Sequence, residues 1–156
     1  MNAITCLDCH AKSMPLVVER YVADVRHDGR SYHIDLPHVP FHRCERCGSV
    51  AITDEADEAI GLELRRVAGL LPPVRIKQIR EKFNLTQKEL ADRLCVGEAT
   101  VCRWETGTQI QQRAFDKLLR AYEAVPGLHE YMGEERHATL RPSAHVGASR
   151  FENQAS

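Results

Sequence analysis

Four of the six cysteines fall into two pairs of identical spacing, Cys6-Leu7-Asp8-Cys9 and Cys44-Glu45-Arg46-Cys47. In such a CxxC turn two thiolates reach one ion while the backbone amides of the turn face the sulfurs, and two turns complete a tetrahedral site of four thiolates. That donor set fits Zn2+, one per chain, and leaves no open coordination position, so the metal is expected to be structural. His10, His38 and His42 lie near the pairs and read as exposed side chains or as donors around the site, since the four cysteines already complete it. A thioredoxin-like redox pair would need one CxxC opening a helix after a strand, and neither pair has that setting. Cys95 and Cys102 read as a turn residue and a small helix residue.

No catalytic constellation accompanies the cysteines. HExxH, GxSxG and a phosphate-cradling glycine loop are absent and the histidines are scattered, so the chain is expected not to be an enzyme. Its 156 residues, 43% hydrophobic and 28% charged, allow one domain or two small ones of ordinary soluble composition. Met1 to Thr5 has neither a basic start nor an apolar run, and nothing approaches the roughly 20 apolar residues of a membrane span. A cytoplasmic protein without a membrane partner is expected, and a reducing compartment favours zinc over cystine. The net charge of −1 is unevenly spread: residues 1–73 carry 8 Lys/Arg against 11 Asp/Glu, and residues 74–124 carry 10 against 7. The basic surplus therefore lies in the second half, where a polyanion would be bound.

The elements that must position the cysteines are short. Leu16 to Arg26 and Ser31 to Leu36, rich in Val, Tyr and Ile, flank Asp28-Gly29, the signature of a hairpin turn. Tyr32, Ile34 and Leu36 alternate with Ser31, His33 and Asp35, so one face packs and the other meets water. Zinc would tie this hairpin together at its open end and supply stability that so small a core lacks, of the order of 10–16 kcal/mol. After the second knuckle, Thr53 or Asp54 can cap a helix running through Ile60, Leu62, Leu64 and Val67 to Leu71, with Asp54, Glu55, Asp57 and Glu58 complementing its macrodipole. Pro72-Pro73 is expected to end it and to form a stiff linker.

Beyond the prolines, Ile76, Ile79 and Phe83 recur at helical spacing, and Thr86-Gln87-Lys88-Glu89 is a capping box that opens a second helix. Cys95-Val96-Gly97 is a tight turn. Glu98 to Thr106 forms a third helix with Val101 and Trp104 inward and Gly107 at its left-handed cap, and Gln112 to Ala124 a fourth with Phe115, Leu118, Leu119 and Tyr122 on one side. Two short helices joined so tightly define a helix-turn-helix. With Val101 and Trp104 buried, Arg103 points outward, and its fork suits guanine O6/N7. The run Leu85 to Ala91, followed by Thr100-Val101-Cys102-Arg103-Trp104-Glu105-Thr106-Gly107, resembles the Cro/C1 (XRE) type. The resemblance implies that Gln87 clamps a phosphate or the outer base pair of double-stranded DNA, that Ala99, Thr100 and Arg103 face the major groove, and that Arg80 and Glu105 form an internal salt bridge. Cys95 stands where the family usually has glycine, and Gly97 where it has a serine or threonine cap.

The fold class expected is α+β in two small domains: a zinc-bound β-hairpin module with its helix over 1–71, a linker at 72–73, an all-α helix-turn-helix domain over 74–132, and a disordered tail over 133–156. Cys6, Cys9, Cys44, Cys47 and Gly48, the Val39-Pro40 before the second knuckle, and Lys117 to Arg120 followed by Pro126 make this order resemble the MqsA family of antitoxins, zinc fingers of the YgiT type joined to a helix-turn-helix. The resemblance implies an mRNA-cleaving toxin as partner of the zinc domain, and a homodimer that binds a palindrome in its own promoter. A solitary regulator without a toxin and a thiol/zinc redox sensor are the alternatives.

Overall fold

The computed structural model describes residues 3–134; the end of the tail expected to be disordered, from 135 on, lies outside the described residues. Its first regular elements are β1 (Leu16–His27) and β2 (Arg30–Arg43), antiparallel with His27 opposite Arg30. Both turn residues have positive φ, 51° at Asp28 and 75° at Gly29, the pattern of the two-residue turn whose twist matches that of the strands. A short β3 (Val50–Ile52) adds to β2 and gives the sheet order β1-β2-β3. The alternation in β2 is as expected: Ile34 is buried, Tyr32 and Leu36 are half-buried, and Ser31, His33 and Asp35 are exposed.

One face of the sheet is covered by α1 (Asp54–Ala68), and Val39, Phe41 and Ala56 make the small core between them. Thr53, not Asp54, is the cap, accepting from the Ala56 amide at 3.2 Å. The helix stops earlier than the prolines would stop it, because Gly69 takes the left-handed conformation (φ 68°) and its amide bonds back to Arg65 and Arg66. Pro72 and Pro73 instead start α2 (Pro73–Lys82), with Pro73 in the first turn, where a missing N–H costs nothing.

The second core is larger. It gathers Leu71, Ile76, Ile79, Leu90, Leu94, Val101, Trp104, Leu119 and Tyr122 from α2, α3 (Gln87–Arg93), α4 (Glu98–Thr106), α5 (Arg113–Ala124) and the segment before them. A further short helix, α6 (Leu128–Gly133), which the sequence pattern does not announce, stacks His129 on Phe83 at 4.6 Å between ring centroids. The chain between the cores is held rather than loose. Leu71 is buried, its amide donates to Asp116 Oδ1 at 2.6 Å, and its carbonyl accepts from Gln111 Nε2 at 2.7 Å.

Candidate metal centre and nucleic-acid interface

The two knuckles are built alike. The amide of Cys6 donates to Ala11 O at 2.9 Å and that of His10 to Cys6 O at 3.0 Å; the amide of Cys44 donates to Ser49 O and that of Gly48 to Cys44 O, both at 2.8 Å. In each the residue after the second cysteine has positive φ, 58° at His10 and 78° at Gly48. That repeated turn brings the four sulfurs together: the Sγ atoms of Cys6, Cys9, Cys44 and Cys47 all lie within 4.8 Å of one another, with Cys6–Cys47 and Cys9–Cys44 at 3.6 Å. Tetrahedral zinc with thiolates at about 2.3 Å sets its sulfurs roughly 3.8 Å apart, so the cluster fits a metal ion with little adjustment.

The electrostatics point the same way. The Cys9 amide, with that of Asp8, holds the Cys6 thiol below its ordinary range against desolvation. The Ser13 hydroxyl, 3.5 Å from Cys44 Sγ, and the amides of Cys47 and Arg46 bring Cys44 down to about 6. Cys9 answers in the opposite direction: the Ala11 amide lowers it, but desolvation and the three neighbouring sulfurs push it up to about 12. Four thiols this close cannot all ionise by themselves, and a divalent cation removes the conflict. Ser49 Oγ lies 3.0 Å from Cys47 Sγ and donates to Asp8 Oδ2 at 2.6 Å, linking the two knuckles around the sulfurs. Sequence reasoning passed over Ser13 and Ser49, although Ser49 directly follows the CxxCG. The histidines stay outside the cluster, and His42 Nδ1 lies 3.1 Å from Met14 O.

In the helical half α3 has the capping box: the Thr86 hydroxyl accepts from the Glu89 amide at 3.1 Å and the Thr86 amide donates to Glu89 Oε2 at 2.7 Å. The turn to α4 has Cys95 at φ 54°, and Gly97 at the cap offers no side-chain bond. Val101 and Trp104 are buried, which leaves exposed Ala99, half-buried Thr100 and exposed Arg103 on the opposite side of α4. Arg103 Nε donates to Gln109 Oε1 at 3.0 Å. Arg80 forms two bonds to Glu105, from Nε at 2.7 Å and from Nη2 at 3.0 Å, and Gln87 Nε2 donates to Glu105 Oε2 at 2.8 Å. Glu105 therefore fixes Gln87 at the start of α3 relative to α4, and the second N–H of the Gln87 amide is left for another acceptor. Cys95 is exposed and Cys102 half-buried.

The hairpin tip and α1 reach this half directly. His27 Nε2 lies 3.1 Å from Gln111 O, Asp28 Oδ2 accepts from the Arg113 amide at 3.0 Å, and the Tyr32 hydroxyl accepts from Arg113 Nη1 at 3.1 Å. Sequence reasoning missed these contacts.

Residues 76–127 match the family model of the helix-turn-helix, about a third of the chain. A comparison with curated proteins found no match. Residues 76–127 thus form a helix-turn-helix domain of the XRE type, whose match points to double-stranded DNA as ligand, joined to a four-cysteine module able to hold a metal ion. Among the described residues no helix is long and apolar enough to cross a membrane.

Proposed function

We propose that this protein is the zinc-containing antitoxin of a type II toxin–antitoxin pair and represses its own promoter as a cytoplasmic homodimer, without enzymatic activity. The observation that carries the reading is the four-sulfur cluster in one chain with a helix-turn-helix whose polar face is open, the order by which the sequence resembles MqsA antitoxins. Zinc would be held by Cys6, Cys9, Cys44 and Cys47 and supply the cross-link of the first module. In the second, the Arg103 fork reads a guanine, Ala99 and the Thr100 methyl lie against thymine methyls, and Gln87 holds a phosphate. Exposed Asp54, Glu55, Asp57 and Glu58 at the start of α1 suit a basic toxin surface. Co-purification with the product of the neighbouring gene, with zinc measured on the product, tests it. A stoichiometric complex with a small basic protein and one zinc per chain supports the antitoxin; a zinc-loaded homodimer without a partner overturns it.

A second reading drops the toxin and leaves a solitary regulator. The bonds from His27, Asp28 and Tyr32 to residues 111–113 favour it, because they give the zinc module a scaffolding role without any partner.

A further inference from the structure

Arg65, in the last turn of α1, is 3% exposed, and among the described residues it forms no ion pair. Its guanidinium is held by carbonyl oxygens only: Nη1 donates to Gly61 O at 3.1 Å, and Nη2 donates to Gly107 O at 3.1 Å and to Gln109 O at 3.2 Å. A buried cation needs compensation. Gly107 is the cap residue of α4, so the charge sits where the terminal carbonyls of that helix concentrate partial negative charge. The end of α4 supplies what a carboxylate otherwise would, and Arg65 in return fixes the chain that leaves the helix.

Gln109 carries this constraint to the exposed face. The residue whose carbonyl Arg65 grips returns its own amide to Arg103 O at 3.1 Å and receives Arg103 Nε on its side chain at 3.0 Å. Arg103 is exposed, and apart from the bond at Nε neither terminal nitrogen of its guanidinium forms a hydrogen bond to another side chain or carbonyl among the described residues. Those two nitrogens are the pair that meets guanine O6 and N7, and a fork held at its base has less rotamer freedom to lose on binding.

We propose that Arg65 and Gln109 are positioning residues for DNA readout: the zinc-module helix, through Arg65, sets the backbone of Gln109, and Gln109 aims the base-reading fork of Arg103. This rests on the reading of Arg103 as a base contact. The first module thereby takes part in sequence discrimination without touching DNA, and whatever displaces α1 from the 107–109 segment weakens discrimination.

The experiment uses the full zinc-loaded chain. A random duplex library long enough for two half-sites is selected with the wild type, and the consensus duplex and its single-base-pair variants are then titrated with the wild type, Arg103→Ala, Arg65→Lys, Gln109→Ala and the combinations with Arg103→Ala. Lysine keeps the charge of Arg65 but cannot fork between carbonyls, and Gln109 is exposed, so its variant folds. Both single variants are expected to lose about tenfold in discrimination at the base pair that Arg103→Ala identifies, with an unchanged salt slope, and to add less than about twofold in the Arg103→Ala background. A loss uniform over all base pairs, or one that persists in full without Arg103, overturns the proposal and leaves Arg65 a structural clamp. If the wild type selects no sequence, or Arg103→Ala changes no base preference, the reading of α4 itself fails and the proposal with it. If Arg103→Ala loses discrimination while Arg65→Lys and Gln109→Ala do not, the proposal alone fails.

Discussion

Asp28 and Arg113, 85 positions apart, are joined by a hydrogen bond of 3.0 Å from the Arg113 amide to the Asp28 carboxylate. Gln112 at the cap of α5 makes no side-chain bond of its own, so the hairpin turn supplies the cap, with a negative charge at the positive end of the helix dipole. Arg65 does the converse at the end of α4. Asp28→Gly keeps the left-handed turn but removes the cap, and should lower the stability of the helical domain by about 1 kcal/mol. Asp28→Asn, which keeps an acceptor, should lose less than half of that. Urea denaturation followed by Trp104 fluorescence measures both, and equal stability of Asp28→Gly and wild type would show that the contact carries no energy.

Cys95 occupies a left-handed conformation, φ 54°, that costs a residue with a Cβ about 1–2 kcal/mol. Glycine removes that cost but loses roughly 0.5–1 kcal/mol of unfolded-state entropy. The balance favours glycine, and Cys95→Gly should stabilise the domain by about 0.5–1 kcal/mol in thermal unfolding. A destabilised variant would mean that the sulfur makes a contact worth more than the strain.

The capping box gives a pH dependence with a definite sign. The Thr86 amide and hydroxyl hold the Glu89 carboxyl below its ordinary range. A carboxyl depressed in the folded state stabilises the fold above its unfolded pKa, and the contribution disappears as pH falls through the folded value. Thr86→Ala should cost about 1 kcal/mol at neutral pH, and acidification below the usual glutamate range should destabilise this variant less than the wild type. Parallel stability curves for the two between neutral pH and pH 3 would contradict the coupling.

Removing the metal should separate the two cores. The first rests on little more than Ile34, Val39, Phe41, Ala56 and the cysteine cluster, so losing a bound zinc worth of the order of 10 kcal/mol should unfold it. The second has its own large core and should lose only its contacts with the hairpin tip and with Arg65, of which the two helix-end caps are worth about 1 kcal/mol each. Chelation is therefore expected to abolish the strand signal in circular dichroism and to lower, without abolishing, the helical transition. An unchanged spectrum would argue against a structural metal.

The sequence announces most of these elements through local chemistry. The CxxC spacing, the Asp28-Gly29 turn, the Thr86 to Glu89 box and the Gly107 cap each act within a few residues, and each stands where its spacing predicts. The end of α1 was misplaced because Gly69 acts before the stronger breaker at Pro72 is reached. The roles of Arg65, Gln111 and Asp116 had no signal at all: their partners lie some 40 or more positions away, and a buried charge or amide carries no pattern until the groups facing it are known. The same distance hid the docking of the hairpin tip. As a result Pro72-Pro73 read as a spacer, whereas the residue before it is bonded on both sides.

In the proposed function the face of α4 carrying Arg103 reads a palindrome in the protein's own promoter. The most direct test is titration of the zinc-loaded chain against a duplex of the sequence upstream of its gene and against a scrambled duplex of the same composition. Saturable binding of two protomers to half-sites roughly 34 Å apart is expected, with Arg103→Ala losing about 1–3 kcal/mol on the upstream duplex and little on the scrambled one. Equal affinity of the wild type for both duplexes would contradict it.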